Sequence, residues 1–102
     1  MIVEYVRYRL SAAQVEAFLA GYTEAALVLD RAHHCEGYEL SRCVEDEALF
    51  TLRILWDSVA GHLDGFRKSP DFAAFLRPIR AFVAAIEEMH HYELTPVRSS
   101  RP

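Results

Sequence analysis

At 102 residues the chain is one domain's worth of sequence, and with 52% hydrophobic and 25% charged residues it folds and is not disordered. A net charge of −4 without a basic stripe argues against nucleic acid or an anionic membrane surface as the partner. No apolar run exceeds a strand in length, residues 1–4 lack the features of a secretory signal, and two cysteines suit a reducing compartment, so a cytoplasmic protein with no membrane span is expected.

Residues 1–10 are β-branched and aromatic enough to form a strand. Ile2, Glu4, Val6, Tyr8 and Leu10 make one side, and Val3, Tyr5, Arg7 and Arg9 the other. The apolar start on both sides predicts a strand covered on two faces. Ser11 with Gln14 forms a capping box, after which Val15, Phe18, Leu19, Tyr22, Ala26 and Leu29 recur at helical spacing. Residues 30–36 read as a polar connection, with Gly37 turning into a strand over 38–44. Glu45-Asp46-Glu47 is a charged turn, and 49–56 is a strand with Phe50, Leu52, Ile54 and Trp56 on one side, so the two strands are expected to pair as an antiparallel hairpin. Asp57 or Ser58 caps a short helix carrying Val59, Leu63 and Phe66. Ser69 caps again ahead of Pro70, and Phe72, Phe75, Leu76, Ile79, Val83 and Ile86 form a second buried stripe that Pro78 must kink. Residues 90–97 read as the last strand and 98–102 as a short polar tail.

The order β-α-β-β-α-β is that of an α+β, ferredoxin-like antiparallel sheet with helices on one face, in a single domain over residues 1–97. Nothing in the chain is left to cover the other face. A second copy is expected to do so, which uses an apolar content that a small domain cannot bury alone.

The run Ile54-Leu55-Trp56-Asp57-Ser58, then Gly61-His62-Leu63, then Phe66-Arg67-Lys68-Ser69-Pro70-Asp71-Phe72 resembles the antibiotic biosynthesis monooxygenase superfamily. Those proteins end the third strand on Trp, continue as W-x-S-x-x-x-(x)-H, and follow with S-x-x-F. Element order and length extend the resemblance over roughly residues 2–95. It implies a homodimer closed as a dimeric α+β barrel, with a mostly apolar pocket between helices and sheet in each subunit. It also implies oxidation of quinol, phenol or anthrone-like substrates by O2 without metal or flavin. A haem-degrading branch uses an Asn on the first strand, the Trp ending the third and a His on the long helix. These fall at Tyr8, Trp56 and about Leu76, so only Trp56 matches that route.

Trp56 is either a core residue or the wall of a pocket for a planar ligand. His62 borders the stripe of Val59 and Phe66, where an imidazole is suited to deprotonate a phenol; the alternative is a half-exposed histidine with one hydrogen bond. Arg42 and Arg53 sit in otherwise apolar strands and each needs a carboxylate, a ligand or the dimer partner. No metal or other cofactor is expected. No two of the five histidines are two or four apart, and His33 with Cys35 lies in a loop without a third ligand. One of His90 and His91 faces the interior, and the sequence leaves open which. The expected catalytic group is His62, Trp56 and Tyr8, with Phe66, Arg53, Leu76 and Tyr22 contacting a small aromatic substrate. The alternative reading is a non-catalytic dimeric module that binds an aromatic ligand or haem.

Overall fold

In a computed structural model, which describes residues 1–99, strand β1 (Ile2–Arg9) organises the sheet. It pairs antiparallel with β3 (Leu49–Trp56) on one side and β4 (Ile86–Glu93) on the other, while β2 (Cys35–Arg42) adds to the far edge of β3. The order β2-β3-β1-β4 is that of the ferredoxin-like fold, with helices on one face. β3 alternates half-buried and buried along its length, placing Phe50, Leu52, Ile54 and Trp56 on the helix side. On β1 the same side carries Glu4, Val6 and Tyr8, all buried. Val3, at the start of the opposite side, is buried as well.

One 3₁₀ turn, Ala12–Gln14, leads into α1 (Val15–Arg31), and the Gln14 side chain accepts from the Ser11 N–H at 3.0 Å as the capping box requires. Phe18 on α1 centres the core, with the rings of Tyr8, Tyr22, Phe50 and Phe82 at centroid distances of 4.9–5.4 Å. Gly21 lets α1 cross the second half of the chain closely: a Cβ there would stand 2.6 Å from the Pro78 carbonyl oxygen.

Several element boundaries differ from the sequence reading, and β4 runs over Ile86–Glu93 instead of residues 90–97. α1 continues through Arg31 and β2 begins at Cys35, so the polar connection shrinks, and Gly37 lies inside the strand where its register against β3 shifts. β2 ends at Arg42, short of Val44. After α2 (Pro70–Leu76), Pro78 falls in a 3₁₀ segment, Arg77–Ala85, with about three residues per turn. The period of three aligns Ile79, Phe82 and Ala85, so Phe82 is buried (8% exposed) and Val83 turns outward (44%). A 3₁₀ segment also rises faster, about 2.0 Å per residue. The chain therefore reaches the sheet early, and Ile86 opens β4 opposite Tyr8 instead of ending a helical stripe.

Candidate active site

The register of β1 brings three side chains together that sequence spacing keeps apart. Glu4 points to the helix side in line with Val6 and Tyr8, Trp56 ends β3 beside it, and His91 of β4 pairs directly with Glu4. His90, paired with Tyr5, faces away, which answers the question of which histidine of the doublet is internal. The fourth member arrives on a π-helix, Gly61–Phe66, laid over Trp56. The wider π turn puts residues four apart on one face, so His62 stacks on the indole (4.4 Å, 10°) and Phe66 packs beside it at 5.1 Å. His34 holds this segment from below. Its ring bonds Asp57 at 2.8 Å and lies so close to Gly65 that a Cβ there would stand 2.6 Å from His34 Nε2.

Glu4 and His62 are each 3% exposed. The Trp56 indole N–H donates to Glu4 Oε1 at 3.0 Å, Glu4 Oε1 is 3.5 Å from His62 Nε2, and His62 Nδ1 is 2.7 Å from His91 Nε2. Exclusion of water dominates the electrostatics. Burial, reinforced by the charges of His91 and Arg67, pushes His62 down to about 4, so it is neutral at neutral pH. Burial likewise raises Glu4, outweighing the Trp56 hydrogen bond and the opposing pull of His91 and Arg67.

Glu4, Trp56 and His62 of this cluster line a mainly apolar cavity of about 260 Å³ between sheet and helices. Trp56, His62, Tyr8, Phe66, Leu76 and Tyr22 all line it. Tyr8 and Tyr22 hydrogen-bond each other through their hydroxyls, and burial raises both, so both remain neutral phenols. Arg53 does not belong. It occupies the other parity of β3, opposite Tyr5 and Glu39, and pairs with Glu39 at 3.4 Å on the outer face. The cavity's lining cation is Arg67, at the end of the π-helix, with its guanidinium 5.9 Å from the Phe72 ring. Glu4 and Arg67 are site residues that the sequence reading does not assign, whereas for His91 it leaves open only which of the doublet turns inward. For Glu4 the signal is present, since it shares the parity of Val6 and Tyr8 on a strand whose helix side must be covered. For Arg67 there is none beyond its place next to Phe66.

A model of the antibiotic biosynthesis monooxygenase family matches residues 1–78. No curated protein matches the chain. Among solved structures, a candidate antibiotic biosynthesis monooxygenase from Bordetella bronchiseptica is 27% identical over 92% of this chain and 96% of that one, with a TM-score of 0.75. Another candidate from Deinococcus radiodurans is 15% identical over the whole of both chains at 0.77. A conserved protein from Methanosarcina mazei Go1 is 15% identical over 92% of each, also at 0.77. At 15% identity the likeness is one of fold.

Proposed function

Because the chain belongs to the antibiotic biosynthesis monooxygenase family, we propose that it oxidises a small electron-rich aromatic compound, of quinol, phenol or anthrone type, directly with O2 in the cavity beneath its helices. The observation that carries this reading is an apolar, aromatic-walled cavity whose lining includes Glu4, His62 and Arg67. Such a site holds a planar ring against Trp56 and Phe66 and presents its hydroxyl to the cluster. A volume of about 260 Å³ lies just below the usual range of about 300–1,000 Å³ and favours a ligand of a few fused rings.

His62 takes the proton of the substrate on Nδ1, giving up its hydrogen bond to His91, and Glu4, 3.5 Å from its Nε2, stabilises the imidazolium that forms. Arg67 supports the substrate anion, whose charge is otherwise disfavoured where water is excluded. The anion passes one electron to O2, the radical pair joins as a peroxide at the ring carbon, and loss of water leaves the quinone. One oxygen atom enters the product, the other leaves as water, and the substrate supplies all the electrons. In the same reading a second copy of the chain covers the outer sheet face and completes the barrel.

Oxygen uptake over a panel of quinols, phenols and anthrones tests the proposal. At least one is expected to be consumed, with His62→Ala lowering the rate by about 10²–10⁴-fold. A substrate already ionised at the assay pH needs no base, so an equally large loss there would remove His62 from that role. Trp56 is the single tryptophan and lies in the site, so its fluorescence reports binding. Quenching by the aromatic panel without any oxygen uptake would mark a binding module instead of an enzyme.

A further inference from the structure

Metal ligands need not share an element, and the spacing of histidines along this chain says nothing about donors that converge from three. Glu4 on β1, His91 opposite it on β4 and His62 on the π-helix above them do converge. One carboxylate oxygen and one nitrogen from each ring all lie within 4.8 Å of one another. Glu4 Oε1 is 3.5 Å from His62 Nε2, and Glu4 Oε2 is 3.9 Å from His91 Nε2. Ligands on one ion, at bonds of about 2.0–2.2 Å, stand about 3.0–3.5 Å apart. With one donor atom from each side chain inside 4.8 Å of the other two, the loosest pair closes by up to about 1.3–1.8 Å, and the hydrogen bond that His62 makes to His91 through Nδ1 gives way as the rings turn to the ion.

We propose that Glu4, His62 and His91 form a binding site for one divalent first-row transition-metal ion. The donor set of two imidazoles and one carboxylate suits zinc, cobalt(II) or iron(II) far better than calcium or magnesium. Among the described residues Glu4 has no lysine or arginine within ion-pair distance, so a carboxylate only 3% exposed lacks the fixed cation that normally accompanies such burial. The supports that orient metal ligands are in place. The Trp56 N–H holds Glu4 Oε1 at 3.0 Å, and the indole fixes the plane of the His62 ring by stacking. Three protein donors leave coordination positions open at a cavity that Glu4 and His62 both line. An ion there leaves His62 no free ring nitrogen, one being ligated and the other protonated, so the metal-bound and proton-accepting states exclude one another.

The test is a titration of the full-length, untagged, chelator-stripped protein with Co2+, read by its visible ligand-field bands, followed by competition with Zn2+. Neither measurement involves a substrate, so the result is independent of whether the chain is an oxygenase. One Co2+ per chain is expected, displaced by Zn2+. Glu4→Gln and His91→Gln are each expected to weaken binding at least about tenfold, while His33→Gln and His90→Gln leave it unchanged. Circular dichroism confirms that each variant is folded. If Glu4→Gln is not, His91→Gln decides, since that side chain is 27% exposed and its replacement is expected to leave the fold intact. Absence of saturable binding, or binding unaffected by His91→Gln, overturns the proposal, as does a site lost with His33 or His90.

Discussion

Tyr8 and Tyr22 show how a single buried contact sets what a residue can do. Each hydroxyl has the other as its partner inside an aromatic core, and burial keeps both phenols protonated. Tyr8→Phe leaves the Tyr22 hydroxyl unsatisfied and is expected to cost about 1–3 kcal/mol, as is Tyr22→Phe. Replacing both removes the polar pair altogether, so the double variant should cost less than the two single losses together, which urea denaturation of all four proteins would show. Additive losses would mean that each hydroxyl has a separate partner. Contacts of this kind are only partly legible in the sequence. The parity of β1 and β3 alone aligns Tyr8 with Trp56 and sends Arg53 to the outer face, yet an arginine among apolar neighbours invites a ligand-binding role until its cross-strand partner Glu39 is known. Neither the pairing of Glu4 with His91 nor the placement of Arg67 follows from spacing, because each depends on contacts between distant parts of the chain.

The π-helix is the element on which the site depends, and it is held by the side chain of His34 from the connection before β2. Gly65→Ala drives a methyl group into that ring and is expected to destabilise the fold by about 1–3 kcal/mol. Combining it with His34→Ala should relieve part of that cost, which a double-mutant cycle measures; strict additivity would place the strain elsewhere. The His34 hydrogen bond holds the Asp57 carboxylate below its usual range. A lowered folded-state value means stability that is present above the ordinary Asp value, about 3.9, and lost as the pH falls through the lower, folded one. The gap in melting temperature between wild type and Asp57→Asn should therefore narrow as the pH drops below about 4; a gap that widened there would refute the assignment. Along the second half of the chain the apolar stripe was readable through Ile79 but not beyond. Pro78 switches the period from 3.6 to three, and a pattern fitted to the first period assigns Val83 inward in place of Phe82.

At the scale of the molecule, the sheet has one face under helices and another carrying Tyr5, Arg7, Thr51, Glu88 and Tyr92 around a groove of about 460 Å³. That face combines aromatic rings, Tyr5 against Tyr92 at 5.5 Å, with ion pairs such as Arg7–Glu88 at 3.4 Å. If a second copy covers it, an interface of about 2,000 Å² or more is expected. Sedimentation at micromolar concentration should then give a dimer, and a charge introduced at Thr51 should shift it toward monomer. A monomeric wild type would leave the outer face without its proposed cover. The order of the strands has a further result for how the protein comes into being. β1 is an inner strand, yet it precedes both of its neighbours in sequence. During synthesis it leaves the ribosome with nothing to pair with, waits for β3, and is enclosed only when β4 emerges. Glu4 meets Trp56 and His62 first and His91 last, so a nascent chain carries an open apolar strand and an unfinished site until β4 has emerged, and chaperone occupancy should fall at that point.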